Sequence, residues 1–364
     1  MRLALALLAV GLLGSPAVRS RVWAPEGWRR LDLPAGLVPS CVLAVDVRRR
    51  GLPDVVVTDA ASDDLRLLLA QGGGRFGPAV TLRTGLGPMA VAAGNLDGSG
   101  RPSLAVATRL GTLTLFEPAK PNGFAPRRDV LAGNVATDVA LADVNGDGFT
   151  DAVVADPGVG AIELLLGDGR GQLRLSARVP VMPGISRLGA ADLNRDGRAD
   201  VVALDPAMLS ISVLLGRPDG TLELRRDFPA GPPPTALALA DLDGDGFVDA
   251  VVTNGGTDSF QILYGDGRGG FSAPRQLLTG LFPSAVAVGD FDLDGRPDLA
   301  IASGALNSVW LYRNLGGRRF ADPVTLLTGL GPAWLSVGDL DGDGRPDLAV
   351  ADARGNSLTL LLQR

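Results

Sequence analysis

A short aspartate-rich segment occurs seven times along the 364-residue chain at a nearly constant interval. Successive copies begin 49 residues apart, except for one interval of 48 residues. Five copies have the full form D-x-[DN]-x-D-G-x-x-D. A fixed period of this length, with strand-like segments between the copies, indicates a protein built from repeated structural units. The first residues of the seven copies are Asp46, Asn95, Asp143, Asp192, Asp241, Asp290 and Asp339.

The repeat that begins at residue 284 shows how one unit is organised. Residues 284–290 are mostly small and apolar, an aspartate loop follows, and residues 299–302 form a second short apolar segment. A turn leads to a third segment, residues 308–312, and a glycine-containing turn leads to a fourth, residues 320–327. Gly and Pro interrupt the unit too often for long helices, whereas short apolar runs between turns predict strands. Each unit is therefore predicted to be a four-stranded antiparallel sheet.

Seven such sheets predict an all-β fold, a seven-bladed β-propeller. The last repeat stops after its third strand, at residues 358–362, while residues 28–33 resemble the missing fourth strand. Pairing of this N-terminal strand with the C-terminal blade would close the ring and leave no open sheet edge. The low aromatic content of 5% and the alanine-rich first strands predict a narrow central channel lined by small side chains.

The first twenty residues have the pattern of a signal peptide. Arg2 precedes an apolar run over residues 3–13, and residues 15–17 offer a cleavage site of small residues. The run is shorter than the roughly 20 residues that span a bilayer, and no other segment approaches that length. We therefore expect a signal peptide over residues 1–20, a propeller over residues 21–364 and no transmembrane segment. The mature protein should be secreted, whether extracellular, periplasmic or at the cell surface.

The composition excludes several classes of function. The chain contains no histidine, which excludes histidine-dependent catalytic triads and histidine-ligated zinc or iron. Its single cysteine, Cys41, cannot form an intramolecular disulfide, and its apolar neighbours predict a buried core residue. The formal net charge is −6 and the basic residues are scattered, so we expect no binding of nucleic acid. We also expect a monomer.

The spacing within the five intact loops predicts metal binding. Positions 1, 3, 5 and 9 carry carboxylate or amide oxygens, glycine at position 6 allows a sharp turn, and residue 7 can offer its carbonyl. Oxygen-only ligands in a flexible loop favour Ca²⁺ over Mg²⁺ and over metals that prefer nitrogen or sulfur. The alternative is that these segments are solvated Asp-Gly turns. The five predicted sites, each for one structural Ca²⁺, are Asp143, Asn145, Asp147, Phe149 and Asp151; Asp192, Asn194, Asp196, Arg198 and Asp200; Asp241, Asp243, Asp245, Phe247 and Asp249; Asp290, Asp292, Asp294, Arg296 and Asp298; and Asp339, Asp341, Asp343, Arg345 and Asp347.

Two of the seven copies have lost the ligand pattern. The first has arginines at positions 3 and 5, between Asp46 and Asp54. Arg48 and Arg50 could therefore replace a cation by pairing with the two aspartates. The second copy keeps one carboxylate, Asp97, which provides too little negative charge for useful metal affinity.

These features resemble the FG-GAP (VCBS-type) repeat family, the seven-bladed propellers of integrin α subunits and many exported bacterial proteins. Beside the five loops, the matching segments are Gly-Asp-Gly-Arg-Gly at 167–171 and 265–269, Pro-Asp-Leu-Ala at 297–300 and 346–349, and phenylalanine after the corresponding turns at 76, 124, 271 and 320. The resemblance implies calcium bound in the loops between the first and second strands, on one face of the disc. It says little about the ligand, because such repeats occur in adhesion proteins, lectins and accessory domains of enzymes.

The leading hypothesis is a binding or adhesion module for a carbohydrate or protein ligand, with its ligand surface on the face opposite the metals. The ends of the second strands, among them Asp59, Thr108 and Asn254, would offer hydroxyl, amide and carboxylate groups there. The blade connections would add the aromatic residues Phe282 and Trp334. The competing interpretation is that all of these residues only form turns.

Two other functions are compatible with the sequence. One is an extracellular polysaccharide lyase or hydrolase; a lyase could work with Arg or Tyr and calcium, and Tyr264 and Tyr312 are the only tyrosines. The other is a structural scaffold within a cell-surface assembly. Because no catalytic group of residues stands out outside the metal loops, we do not expect an enzyme.

Overall fold

A computed structural model describes residues 23–119, 123–181, 183–223 and 225–364, which form seven four-stranded antiparallel sheets. The first strand of each sheet contacts the first strands of both neighbouring sheets, and the seventh contacts the first. The sheets are therefore the blades of a closed ring, and the prediction of an all-β, seven-bladed propeller is confirmed. The predicted signal peptide lies outside the described residues.

The four strands of a blade are numbered here from the central channel outwards. Blade one contains Pro39–Val45, Asp54–Asp59, Asp64–Leu68 and Val80–Arg83. Blade two contains Pro88–Gly94, Ser103–Thr108, Thr112–Phe116 and Arg128–Leu131. Blade three contains Asp138–Ala142, Asp151–Asp156, Ala161–Gly167 and Leu173–Pro180. Blade four contains Arg187–Ala191, Asp200–Asp205, Ser210–Leu214 and Arg226–Pro229. Blade five contains Pro234–Ala240, Asp249–Asn254, Ser259–Leu263 and Arg275–Leu278. Blade six contains Pro283–Gly289, Asp298–Ser303, Ser308–Tyr312 and Val324–Leu327. Blade seven contains Pro332–Gly338, Asp347–Asp352, Ser357–Gln363 and the N-terminal strand Trp28–Pro34.

Short elements lie outside the blades. A 3₁₀ turn, Pro25–Gly27, precedes the N-terminal strand. Two-stranded hairpins follow the third strands of blades one, two and six; they pair Ala70–Gly72 with Arg75–Phe76, Pro118–Ala119 with Gly123–Phe124, and Asn314–Gly316 with Arg319–Phe320. None of the helical structure in the described part of the chain has the length and apolar character of a membrane span.

The N-terminal strand closes the ring as predicted. It pairs antiparallel with the third strand of blade seven, in a register that places Trp28 opposite Gln363 and Pro34 opposite Ser357. Trp28 is 7% exposed, and its ring contacts the edge of Phe291 in the preceding blade at 6.0 Å between centroids. Residues at the two ends of the chain therefore share one hydrophobic core.

The hydrophobic core lies between neighbouring blades, in seven clusters of buried side chains. Every residue of every second strand is buried, because another blade covers each face of the sheet. A strand that is buried on both faces needs a nearly continuous apolar run, and this explains Val-Val-Val at 55–57 and Leu-Ala-Ile-Ala at 299–302. The fourth strands are half exposed and alternate in burial.

Two expectations about local structure were wrong. The fourth strand of blade six begins at Val324, because Phe320 pairs back with Asn314 in a hairpin turned by Gly316 and Gly317, both with positive φ. Trp334 lies in the first strand of blade seven rather than in a connection, and it lines the central channel. The channel is therefore not lined by small side chains alone.

The strand order gives the disc two distinct faces. Each first strand ends at an aspartate loop, so the seven aspartate loops and the turns between third and fourth strands lie on one face, called here the loop face. The turns between second and third strands and the connections between blades lie on the other, called here the connection face.

Loss of the Trp28 side chain should weaken ring closure. Trp28→Ala should lower the free energy of unfolding by about 3–5 kcal/mol, because a large side chain leaves a cavity between the blades. Leu327→Ala is the control, since this side chain is 66% exposed and its truncation should change stability by less than about 0.5 kcal/mol. Urea denaturation followed by tryptophan fluorescence and circular dichroism measures both. Equal stability of the two variants would contradict closure through Trp28.

Candidate metal centres

The ninth residue of each intact loop is an aspartate that is buried at the start of a second strand. In the loop that begins at Asp290, Asp298 Oδ2 accepts the Phe291 N–H at 3.0 Å and Oδ1 accepts the Asn314 N–H at 2.7 Å. The other four loops have the same two hydrogen bonds at 2.7 to 2.9 Å. This carboxylate therefore joins the loop to the end of the third strand.

Hydrogen bonds from the backbone also fix the exposed part of each loop. In the loop that begins at Asp241, its Oδ2 accepts the Gly246 N–H at 2.8 Å, and Asp245 Oδ1 accepts the Phe247 N–H at 2.8 Å. Gly246 has φ +84°, which explains the requirement for glycine at position 6. The turn geometry predicted from the spacing is present in all five loops.

The second residue of each loop anchors it in the core. These residues are apolar and at most 4% exposed. Two of their carbonyls accept a hydrogen bond from a side-chain amide of the neighbouring blade: Asn314 Nδ2 donates to Leu242 O at 2.7 Å, and Gln363 Nε2 donates to Phe291 O at 2.9 Å. The seven anchors are Val47, Leu96, Val144, Leu193, Leu242, Phe291 and Leu340.

Carboxylates converge in the last three loops. Among the described residues, three groups each have one oxygen per residue within 4.8 Å of the others. Each intact loop supplies oxygen donors alone, which suits a hard cation such as Ca²⁺. The structure thus brings together three of the predicted ligands in each of these loops, although Asp245, Asp298 and Asp343 are outside the groups. The groups are Asp241, Asp243 and Asp249; Asp290, Asp292 and Asp294; and Asp339, Asp341 and Asp347.

The loops that begin at Asp143 and Asp192 differ at position 3, which is an amide. Asn145 Nδ2 donates to Asp147 Oδ2 at 2.9 Å, while Asn145 Oδ1 accepts the Asp147 N–H at 3.0 Å. Asn194 and Asp196 make the same two contacts. These loops therefore offer one carboxylate fewer to a cation.

Arginines surround the acidic groups, which the sequence analysis did not predict. Arg313 pairs with Asp292 at 2.7 Å and Arg318 with Asp243 at 2.7 Å, each from the turn after a third strand. Three of the predicted carbonyl donors at position 7 are arginines whose guanidinium pairs with the position-5 aspartate: Arg198 with Asp196, Arg296 with Asp294, and Arg345 with Asp343. Asp292 is 5% exposed, and its Oδ1 has no hydrogen-bond partner. That buried oxygen is available to a cation.

Burial raises the pKa of the position-9 carboxyls. Burial, together with the neighbouring carboxylates of Asp292 and Asp341, raises the pKa of Asp298 and of Asp347 to about 8, although hydrogen bonds from the backbone lower it. Burial raises the pKa of Asp249 to about 6 in the same way. A folded-state pKa above the ordinary value of 3.8 means that the fold loses stability as pH rises from about 4 to about 8, unless a cation compensates the charge.

Arg48 takes the place of a cation in the first loop. Its guanidinium makes two hydrogen bonds to the fully buried Asp54, at 3.1 and 2.5 Å, and donates to Ala70 O at 2.6 Å. The prediction that arginine pairs with the flanking aspartate is thus confirmed for Arg48. Arg50 instead donates its backbone N–H to Asp46 Oδ1, and its side chain forms no ion pair within 4.0 Å among the described residues.

Removal of the Arg48 charge should strongly destabilise blade one. Arg48→Ala should lower the free energy of unfolding by about 3–5 kcal/mol, because it leaves Asp54 buried without its partner. Arg50→Ala makes the same charge change and should cost less than about 0.5 kcal/mol. Chemical denaturation of both variants tests the difference. Matching costs would show that Arg48 does not compensate the buried charge.

The connection face carries most of the exposed large apolar side chains. Of the nineteen exposed large apolar side chains among the described residues, eleven lie in its turns and connections, five on fourth strands and three on the loop face. Exposed apolar surface that is concentrated on one face is a mark of an interaction surface. The eleven are Leu37, Val38, Leu86, Leu110, Val159, Met208, Leu209, Leu281, Phe282, Leu306 and Leu330.

The polar residues at the ends of the second strands do not contribute to this surface. All seven are at most 1% exposed. Asp59 accepts the Leu37 N–H at 2.6 Å, Asp156 accepts the Asn134 N–H at 2.6 Å, and Ser303 Oγ donates to Leu281 O at 2.6 Å. Their role is to hold the blade connections, which favours the turn-forming interpretation.

The fold and the loops together define a seven-bladed propeller with acidic loops between its first and second strands. The model of the FG-GAP-like repeat matches residues 143–203, 192–252, 241–301 and 290–350, which together span 143–350, or 208 of 364 residues. The chain belongs to the FG-GAP-like repeat family. Comparison with curated proteins found no match.

Several solved structures share this fold at low sequence identity. BBS1N, crystallised in complex with ARL6DN, is 14% identical with a TM-score of 0.66, over 92% of this chain and 96% of that chain. Streptogramin B lyase is 12% identical with a TM-score of 0.63, over 93% and 98%. A protein from Lactobacillus plantarum is 15% identical with a TM-score of 0.61, over 81% and 86%. At such identities the similarity shows the fold alone.

Proposed function

We propose that this chain is an exported, calcium-stabilised binding module that docks a protein ligand on its connection face. The observation that carries the proposal is the concentration of eleven exposed large apolar side chains on that face. Nine of the eleven are aliphatic, Met208 carries a thioether, and Phe282 is the single aromatic among them. Aliphatic surface suits another protein better than a carbohydrate, which needs exposed polar partners. The polar groups expected to serve a carbohydrate are buried in the blade connections instead.

Calcium has a stabilising role in this proposal. The five intact loops would hold the ion through carboxylate, amide and backbone carbonyl oxygens, with the three carboxylate groups as the strongest candidates. The bound ion would neutralise carboxylates that otherwise repel one another and would fix the loop between the two inner strands. Extracellular modules often bind calcium with Kd values of roughly 10⁻⁴–10⁻³ M. At such affinities each site contributes on the order of 1 kcal/mol at millimolar calcium.

Calcium should raise the melting temperature of dialysed protein by several degrees at pH 7.5, and excess chelator should reverse the increase. The increase should be smaller at pH 5, because protons then occupy Asp298 and Asp347, whose pKa values are about 8. Asp341→Asn should reduce the increase in melting temperature by the contribution of one calcium site. Asp322→Asn makes the same change at an exposed residue outside the loops and should leave the increase unchanged. Calorimetry measures all of these shifts. A melting temperature indifferent to calcium at pH 7.5 would refute the stabilising role.

Charge placed on the connection face should abolish ligand binding. The double variant Leu281→Glu with Leu330→Glu changes two exposed residues in neighbouring connections. The matched control, Leu278→Glu with Leu327→Glu, places the same charge on neighbouring fourth strands, where the side chains are 77% and 66% exposed. Proteins retained from a surface extract by immobilised wild type are identified, and their affinities are then measured with purified components. We expect at least tenfold weaker binding for the first pair and less than twofold change for the control.

The same assay can contradict the proposal. Equal binding by both double variants would place the ligand surface elsewhere. Saturable binding of a glycan that is unchanged in both double variants would also place the ligand surface elsewhere.

No observation favours the enzymatic alternative. Tyr264 is 5% exposed and Tyr312 is 3% exposed, and the Tyr312 hydroxyl donates to Leu278 O at 3.0 Å. Burial raises the pKa of Tyr312 to about 12, which does not suit a general base. Neither tyrosine therefore supports a tyrosine-dependent lyase.

A further inference from the structure

The repeats differ most in chemistry at one position of the first strand. Five residues before the start of each aspartate loop, the seven copies place one side chain each in or beside the central channel. Three of the seven are alanine, as expected for a narrow channel, but the others are a thiol, a carboxylate, a guanidinium and an indole. The ring at this position, called here the hub ring, consists of Cys41, Ala90, Asp138, Arg187, Ala236, Ala285 and Trp334.

A pocket of about 180 Å³ lies at the hub ring. Five members of the ring line it, together with residues on either side in the first strands, such as Leu237 and Ser284. In blades five to seven the lining residues are the second to fourth residues of seven-residue strands that start at the connection face, so the pocket lies in that half of the channel. A cavity of about 150 Å³ accommodates benzene, so this pocket has room for a molecule of roughly six to ten heavy atoms.

The pocket contains two opposite charges that attract each other but form no direct ion pair. Asp138 is 5% exposed, and its carboxylate accepts the Val139 N–H and, across the blade boundary, the Leu188 N–H, both at 2.9 Å. Arg187 lies at the neighbouring position of the ring. No ion pair within 4.0 Å joins Arg187 to Asp138 or to any other acidic residue in the described part of the chain.

The indole ring of Trp334 stacks on the guanidinium of Arg187. The Arg187 guanidinium carbon is 4.4 Å from the centre of the indole ring, a cation–π contact. Arg187 Nη1 donates to Ser186 O at 3.2 Å. An arginine that is stacked in this way keeps its other N–H groups directed outwards from the edge, in the geometry that binds a carboxylate with two hydrogen bonds.

We propose that the hub pocket binds a small zwitterion of the α-amino acid class. The carboxylate of the ligand bonds to the Arg187 guanidinium, its ammonium group lies against the Asp138 carboxylate, and its side chain contacts Trp334 and the alanines of the ring. A phosphate or sulfate dianion fits less well, because Asp138 would repel the second charge. An uncharged apolar molecule would offer no partner to either charged group.

The remaining polar member of the ring has no part in binding. Cys41 is 1% exposed and does not line the pocket, and burial raises the pKa of its thiol to about 12. The thiol is therefore a core group rather than a nucleophile directed at the ligand. The proposal is independent of the proposed protein ligand, since it concerns a small molecule in the channel.

Isothermal titration of the full, calcium-loaded protein tests the proposal. The panel consists of the neutral L-amino acids up to the size of leucine, each with its decarboxylated amine and its deaminated acid. We expect at least one amino acid to bind saturably, and its amine and acid counterparts to bind at least tenfold more weakly. Binding of the acid as tightly as the amino acid, or binding of none of the panel, would overturn the proposal.

Variants assign the binding to the hub pocket. Arg187→Gln should weaken binding at least tenfold, whereas Arg195→Gln should leave it unchanged, because Arg195 stacks in the same way on Phe247 at 4.2 Å but lies in an aspartate loop. Ala285→Leu fills the pocket without touching either charge and should also weaken binding at least tenfold. This second variant covers the case in which loss of Arg187 disturbs folding, which circular dichroism reports. Undiminished binding by folded Ala285→Leu protein would exclude the hub pocket.

Discussion

A buried carboxylate at the start of the second strand is the interaction on which six of the seven blades depend. In the five blades with an intact loop it accepts one N–H from its own loop and one from the end of the third strand, and so joins three strands of a blade at the loop face. A charged group in that position is costly unless its charge is compensated. The chain meets this cost in different ways. Blade one uses Arg48, blade two replaces the aspartate by Ser103, and in the other five blades the proposed cation has this role, with nearby arginines compensating part of the charge.

The periodicity of the loops was sufficient to predict the fold. The period gave the number of blades, and the incomplete last repeat together with an N-terminal segment that resembles its missing fourth strand gave the closure of the ring. Turn geometry was predictable as well, because Gly246 and its equivalents are the residues that tolerate a positive φ. The short hairpins were not predictable. The hairpin at Gly316 and Gly317 depends on two adjacent turns, and an apolar pattern does not distinguish this hairpin from one longer strand.

The candidate sites were predicted less completely, because side-chain partners come from other repeats. Arg318 reaches Asp243 from the neighbouring blade, and no spacing within one loop indicates that contact. The hub ring could have been found by aligning the seven repeats and asking where they differ. That comparison shows Asp138, Arg187 and Trp334 at a position where three other copies have alanine. In a repeat protein, positions that are the same in every repeat define the scaffold. Positions at which single repeats differ are candidates for recognition of a particular ligand.

The two faces of the disc therefore differ in chemistry. The loop face carries the acidic groups and the arginines that pair with them. The connection face carries the exposed aliphatic side chains and lies at the end of the channel that contains the hub pocket. The ring is closed and each blade is covered on both sides. A ligand on the connection face would therefore contact blades that are held together at the loop face.

Equilibrium dialysis against radioactive calcium at neutral pH tests the central claim most directly, because it counts the ions that are proposed to compensate the buried aspartates. The account predicts saturable binding of about five ions per chain at millimolar calcium, one for each loop with the full ligand pattern. Failure to bind any calcium under these conditions would contradict it.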